Sequence, residues 1–232
     1  VEKNVHVIEG GEYVSGGPRP NIVEDETPWK KTLLLAEKSM FGSSIAPYRA
    51  GHHKRYVKSV FHGAYRREVF EKAGLFNEKL GRTEDNEMHY RIRKAGYKIC
   101  FTPDIISYQH VRSSWKGIIK QKFLNGYWIG LTLSPYCFSI FHFIPFVFCL
   151  ALIVSIILYA LGYKMLFLIL ALAYIVCNLV MSFLAILKGK PCLQYIVLPI
   201  IFLSLHISYG IGTMCGLIKM PFWWYKNVKK KG

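Results

Sequence analysis

Three stretches dominate the chain: Phe138–Tyr163, Met165–Leu187 and Tyr195–Ile218 contain no Asp, Glu, Lys or Arg. Each reaches or exceeds the roughly 20 residues that a helix needs to cross about 30 Å of hydrocarbon. Lipid offers no partner to bare backbone groups, so a helix is the conformation that such a stretch can adopt there. Three in succession argue for membrane spans over buried core helices. They exclude a wholly water-soluble protein, and the composition excludes a disordered or collagen-like chain. Lys164 and Lys188-Gly189-Lys190-Pro191 form short connections. Trp223, Trp224 and Tyr225 precede Lys226 and Lys229–Lys231, an order that marks a membrane–water boundary. Three simple crossings would put this tail opposite the polar part, whereas the positive-inside rule wants both on the cytoplasmic side. Pro199, Gly210, Gly212 and Gly216 suggest that the third stretch is broken or re-entrant, which would return the tail to the cytoplasm.

Charge divides the chain in the same place. All 14 acidic residues lie between Glu2 and Asp104, and the formal net charge is +16. The expected organisation is a polar domain over 1–112, an intermediate segment over 113–137, and helices with a basic tail over 138–232. In the intermediate segment Ile118, Ile119, Phe123, Tyr127 and Trp128 alternate with Lys116, Lys120 and Lys122. Two readings fit: an amphipathic helix lying at the interface, its lysines toward anionic head groups, or an ordinary helix packed on the domain. The surplus charge does not argue for nucleic acid. Eight lysines sit at membrane boundaries, and His52-His53-Lys54-Arg55 is a short basic loop, not an extended stripe. None of the six cysteines forms a CxxC pair, so neither a disulfide framework nor a zinc site is expected. Residue 1 is Val and no signal peptide is visible, so the chain reads as a fragment without its N-terminal part.

The polar part alternates strands and helices, the pattern of half an α/β sheet. Val5–Ile8 reads as a short strand, followed by Gly10-Gly11 and a second strand toward Gly16-Gly17-Pro18. Thr27-Pro28-Trp29 opens a helix with a good cap and a favoured first-turn proline. The segment 41–57, with Gly42, Pro47, Gly51, His52 and His53, has loop chemistry. Val57–Phe61 reads as a strand, and Gly63-Ala64-Tyr65-Arg66-Arg67 leads into a helix closed by Gly74. Thr83 caps a further helix whose stripe is Met88, Ile92 and Ala95 and whose stop is Gly96. Tyr97–Thr102 and Ile105–Tyr108 complete the strands.

Glu84 and Asp85 stand at the start of that helix, on the edge of a glycine-containing loop. Acids in a first turn gain about 0.3–1 kcal/mol from the helix dipole, so a purely structural role is open. The chemical alternative is a general base. A carboxylate there is favoured in its charged form by backbone N–H groups and could take a proton from a hydroxyl as that hydroxyl attacks.

The run from His62 to Pro103 resembles the acceptor half of a family 2 glycosyltransferase with the GT-A fold. Gly63, Arg66, Arg67, Gly74, Phe76, Glu78, Glu84, Asp85, Arg91, Gly96 and Tyr97 carry that resemblance in order and spacing. It covers roughly residues 14–130, and the trailing apolar helices resemble the succinoglycan-type branch that builds bacterial exopolysaccharides. The resemblance implies an α/β fold, an incomplete GT-A-type, Rossmann-like domain followed by transmembrane α-helices. It also implies inverting transfer of a sugar from a nucleotide-sugar donor to a hydroxyl of a lipid-linked or polysaccharide acceptor, in a multi-pass protein of the cell membrane with its catalytic domain cytoplasmic. Asp85 matches the catalytic base and Glu84 the neighbour that places the acceptor. Gly63 and Arg66 match the wall beneath donor and acceptor. His110 falls where such enzymes supply a histidine to a metal or diphosphate. Arg112, Lys116 and Gln121 follow on the same side, where a cation would stabilise a departing diphosphate.

There are departures from the family pattern. Asn77 replaces the usual Asp. Gln121 is followed by Leu124 and Asn125 where processive synthases carry Arg and Trp, and Trp128 comes three residues late. That favours addition of single sugars over polymerisation. No Asp-x-Asp occurs. The main ligands of a divalent cation, Mg²⁺ or Mn²⁺, are therefore expected in a preceding nucleotide-binding half, without which these residues would neither bind donor nor turn over. The alternative class is a membrane-anchored binding or scaffold module without catalysis.

Overall fold

A computed structural model describes residues 1–42, 53–133, 140–189 and 192–227. Most of the loop expected at 41–57, the Lys190-Pro191 turn, Cys137 and the lysines of the tail after residue 227 lie outside these residues. The described residues divide into two compact units, one of 1–22 with 53–110 and one of 23–42, 111–133, 140–189 and 192–227.

The first unit opens with helix α1, Glu2–Glu9. A strand was expected here because Val5 and Val7 alternate with polar residues. The face that decides is instead Asn4, Val7 and Ile8, spaced for a helix and the least exposed positions of the segment. Asn4 accepts a 2.7 Å hydrogen bond from Ser15 Oγ on the strand behind it. Strands β1 (Val14–Gly17), β3 (Arg55–Val57), β4 (Phe61–Tyr65) and β5 (Ile99–Phe101) form one mixed sheet in the order β3-β5-β1-β4. β1 runs parallel to β5 and antiparallel to β4, and its ladder shifts register between Ser15 and Gly17. A separate parallel pair joins β2 (Asn21–Ile22) to β6 (Gln109–His110). The strand expected at Val57–Phe61 falls across the gap between β3 and β4, and Ile105–Tyr108 is not a strand. There the chain descends from a turn, with Ile105 N–H bonded to Thr102 O, and pairing resumes at Gln109.

Helices α3 (Arg67–Ala73) and α4 (Glu84–Lys94) pack together. Val69, Met88 and Ile92 join Val14, Val60, Ile99 and Phe101 in the core of the unit. Gly74 (φ 79°) and Gly96 (φ 93°) turn the chain out of the two helices, as their sequence positions imply.

In the second unit, α2 (Pro28–Lys38) starts as expected: Thr27 Oγ1 accepts from Lys30 N–H at 3.3 Å. Leu33 and Ala36 of α2 share a core with Ile118, Leu198, Ile201, Phe202 and Leu205. Helix α5 (Trp115–Thr132) is capped by Ser114, whose hydroxyl accepts from Gly117 N–H. Three apolar helices follow: α6 (Ile144–Ala160), α7 (Lys164–Ile186) and α8 (Leu198–Asn227), with 3₁₀ turns before α6 and α8. With those turns the candidate spans are Ile140–Ala160, Lys164–Ile186 and Leu193–Asn227, each long and apolar enough to cross a membrane. The third corrects an expectation. It is one helix of 30 residues, unbroken at Gly210, Gly212 and Gly216, and it runs well past Ile218. Asn178 of α7 donates to the carbonyl of Pro199 at 2.9 Å.

The glycines are there for packing, not for a break. A Cβ on Gly212 would fall 2.1 Å from the carbonyl oxygen of Phe123, and one on Gly126 would fall 2.1 Å from that of Tyr209. Helices α5 and α8 thus touch backbone to backbone through two small-xxx-small faces, Gly126/Gly130 and Gly212/Gly216. This contact also corrects the polar face expected of α5. Lys116 and Lys120 are exposed, but Lys122 is buried and its Nζ lies 2.9 Å from Glu37 Oε1 of α2. Gly212→Val, by forcing these helices apart, is expected to cost about 1–3 kcal/mol, the range for overpacking a close contact. A lowered melting midpoint of the detergent-solubilised chain would show it, and an unchanged midpoint would refute the backbone contact.

Candidate active site

Asp85 lies in the first turn of α4, which two devices fix. Met88 and Ile92 bury its inner face. Arg91, one turn beyond Glu87, grips that carboxylate with Nε at 2.7 Å and Nη2 at 2.8 Å. The same guanidinium donates to the carbonyls of Ala73 and Leu75, so it ties α4 to the end of α3. Four positions that carry the family resemblance therefore serve to hold the helix: Arg91, Gly74, Gly96 and, through its ring contacts with Tyr65 and Phe70, Phe76.

The helix start differs from the expected cap. Thr83 occupies the N-cap position in the left-handed region, at φ 68°, and its hydroxyl donates back to the Arg82 carbonyl. A non-glycine residue there is uncommon and strained. Asp85 itself satisfies a free amide, accepting from Asn86 N–H at 2.8 Å.

Burial pushes the Asp85 carboxyl above the ordinary aspartate range; the Glu84 charge adds to the rise, while the Asn86 hydrogen bond and the Arg19 guanidinium oppose it. Glu84 Oε2 is buried and has no hydrogen-bond partner among the described residues. Arg19 lies over the Phe61 ring at 4.2 Å from its centroid, on the sheet side of the site. Its position, two residues after the end of β1, gave no signal in the sequence.

Behind Asp85 stands a polar chain that the sequence reading also missed. His89, on the same face of α4 one turn on, is 1% exposed. Its Nδ1 lies 2.9 Å from Ser59 Oγ and its Nε2 lies 2.8 Å from Tyr65 Oη. Burial, with the Arg93 charge adding to it, lowers His89 to about 4. Tyr65 stacks on the His89 ring and packs on Phe70 and Phe76. Burial and then the Asp85 charge push its hydroxyl up to about 12. The i, i+4 spacing of Asp85 and His89 was the available clue.

Of the other expected residues, Gly63 lies on β4 beside this chain: a Cβ there would come within 3.1 Å of Tyr65 Oη and 3.2 Å of Ser15 O. Arg66 is engaged with main chain, donating to Ile8 O at 2.6 Å and Glu12 O at 3.1 Å. His110 is an exposed residue at the end of β6. Arg112 and Gln121 belong to the second unit; Arg112 is exposed ahead of α5, and Gln121 is half-buried on that helix. Among the described residues no three His, Cys, Asp or Glu side chains come together to hold a metal ion.

Residues 41–208 match the family model of glycosyl transferase family group 2, and the chain belongs to that family. The match extends beyond the polar part to include α5, α6, α7 and the start of α8. The chain is 30% identical over 165 residues to dolichyl N-acetyl-alpha-D-glucosaminyl phosphate 3-beta-D-2,3-diacetamido-2,3-dideoxy-beta-D-glucuronosyltransferase of Methanococcus voltae, which covers 71% of this chain and 48% of that protein. It is 31% identical over 74 residues to succinoglycan biosynthesis protein ExoA of Rhizobium meliloti, covering 32% of this chain and 22% of that protein. The chain thus spans about half the length of the first relative and less of the second. No solved structure matches it.

The buried histidine has a measurable consequence. An unfolded chain protonates His89 near 6.5, whereas the folded chain resists until about 4. Between these values the unfolded state binds the extra proton, so stability falls as pH drops, by up to about 3 kcal/mol at the lower end. Above pH 6.5 the group is neutral in both states and contributes no slope. The melting-point advantage of the native chain over His89→Gln should therefore shrink between pH 7 and pH 5. An advantage that stayed constant would show that His89 is not held neutral.

Proposed function

We propose that this chain carries the acceptor-activating site of a membrane glycosyltransferase that moves a sugar, with inversion, from a nucleotide-sugar to a hydroxyl of a lipid-linked or polysaccharide acceptor. The observation that carries this reading is Asp85, a carboxylate at the N-terminal end of a firmly held helix, raised by burial and flanked by a second carboxylate. A base needs affinity for a proton, and a carboxyl raised above the ordinary aspartate range gains it. In this reading Asp85 accepts the proton of the attacking hydroxyl, and Glu84, with an oxygen still lacking a partner, takes a neighbouring hydroxyl of the acceptor. Arg19 keeps Asp85 ionised. Gly63 and Arg66 shape the floor.

The name of the Methanococcus relative places its acceptor on a dolichyl phosphate. A lipid-linked acceptor suits a chain whose apolar helices follow the sheet. The catalytic unit is taken to face the cytoplasm, with the chain in the cell membrane, and α5 to lie toward the interface. Enzymes of this family commonly use a divalent cation. The residues described here do not make a complete site for one, and His110 is the side chain that this reading offers.

In membranes carrying the full-length protein, Asp85→Asn should abolish incorporation of radiolabelled sugar into the lipid fraction. It should not lower stability. A raised carboxyl means that the charged form is disfavoured in the fold, so neutralising it removes a cost that grows as pH rises through the folded value. For the native chain, kcat/KM should rise with pH through a midpoint above the ordinary aspartate range. Near-normal transfer by that full-length variant would remove Asp85 as the base, and absence of transfer by the unsubstituted full-length protein with every nucleotide-sugar offered would favour a non-catalytic anchored module.

A further inference from the structure

Helices α5 and α8 run parallel along their shared seam. Ser208 Oγ donates to the Ile119 carbonyl at 2.8 Å, and a Cβ on Gly212 or Gly216 would fall 2.1 Å from the carbonyl oxygens of Phe123 and Tyr127. Each step of four residues on one helix thus meets a step of four on the other. Backbones this close leave no side chain in the seam, so the side chains that flank it become the walls of a groove. That groove has a volume of about 400 Å³. Ile119 and Phe123 of α5 line one side, and Ile200, Leu203, Ile207 and Ile211 of α8 line the other.

The walls are apolar. The remaining lining residues are Ser204 and Ser208, and both spend their hydroxyl hydrogens internally, Ser204 on the Ile200 carbonyl at 2.8 Å and Ser208 on that of Ile119. The edge is cationic. Lys116 and Lys120 are exposed, and they stand three residues before Ile119 and Phe123 respectively, which makes each a surface neighbour of a lining residue. Neither lysine has an acidic partner among the described residues. No acid occurs after Asp104, and Asp25, Glu26 and Glu37 are engaged by Lys30, Lys31 and Lys122. Two unneutralised cations beside an apolar trough fit a molecule with a negative head and a hydrocarbon chain. A second copy docking through the same face would bring lysine against lysine.

We propose that this groove is a binding site for an anionic phospholipid of the bilayer, with the phosphate at Lys116 and Lys120 and one acyl chain along residues 200–211 of α8. The groove lies in the unit that holds the three candidate spans, where lipid is the ligand at highest concentration. A bound chain covers side chains of α8 that are otherwise exposed, Ile200, Leu203 and Ile211. It touches both helices at once, and so ties α5 and its lysines to the charge of the membrane surface. Preference for anionic lipid follows, whether or not Asp85 is the base.

The test offers the full-length protein in detergent equal amounts of phosphatidylglycerol and phosphatidylcholine with matched chains, and counts retained lipid by native mass spectrometry. Phosphatidylglycerol should be retained about tenfold more, the scale that two lysines near an anionic head group supply. Lys116→Gln combined with Lys120→Gln should abolish that preference while leaving weak retention of both lipids, with an unchanged melting midpoint showing that the fold is intact. Ser204→Phe, which fills the trough, should abolish the retention itself. Equal retention of the two lipids by the native chain would overturn the proposal, as would a preference that survives the double substitution or the filled groove. A polyprenyl phosphate that displaced phosphatidylglycerol at equimolar amounts would overturn it too, by assigning the groove to a lipid-linked acceptor.

Discussion

The second unit depends on how closely α5 and α8 approach. Their backbones touch at Gly126 and Gly212, so no side chain separates them and each helix is indexed to the other within a fraction of a turn. Everything else in the unit inherits that register. Ile118 reaches Leu198 and Leu205, α2 lays Leu33 and Ala36 on the same core, and Ser208 donates to the Ile119 carbonyl at 2.8 Å. Glycine permits this approach, because no side chain stands between the two backbones. Lys122 and Glu37 fit the same logic. Burying the pair brings little net stability, since desolvation offsets most of the attraction. Its effect is selective: α2 can dock on α5 at the one place where its carboxylate meets the lysine.

In the first unit the constraint is different. A sheet of short strands, three to five residues each, offers little ladder to hold a site in place. Side chains hold it instead. Arg91 clamps the α3–α4 connection, Arg66 secures the chain after α1, and the apolar faces of both helices close on Val14, Ile99 and Phe101. The result is a helix held along its inner face whose N-terminal end carries two carboxylates and a strained threonine. Cost is concentrated where chemistry is proposed, and the surrounding contacts offset it.

What the sequence made legible follows from range. The membrane spans, α2 with its threonine cap, α3 with its closing glycine, and α4 with its stripe rest on signals within a few residues of each other. Each appears within one to a few residues of its expected place, apart from the third span's far end. The misses needed distant partners. Val5 and Val7 look like a strand until Ser15 binds Asn4 and selects a helical face. Lys122 looks like a surface lysine until Glu37, far away in sequence, meets it. Gly212 and Gly216 look like a kink until the facing glycines of α5 are known. In the candidate site the pattern repeats. Glu84 and Asp85 announce themselves, while Arg19, Ser59 and Tyr65 reach the site from other strands and loops with no local mark.

In the proposed reaction, the charges around Asp85 favour its taking a proton. Two carboxylates and the Arg19 guanidinium leave one negative charge in a partly desolvated place. Burial acts first on Asp85 and the Glu84 charge acts second, both in the direction of proton uptake. Accepting one proton from a hydroxyl brings these three groups to neutrality. Uptake therefore relieves the electrostatic strain of the resting arrangement as the nucleophile becomes negative, and the same charge count opposes a second proton by removing the drive that favoured the first.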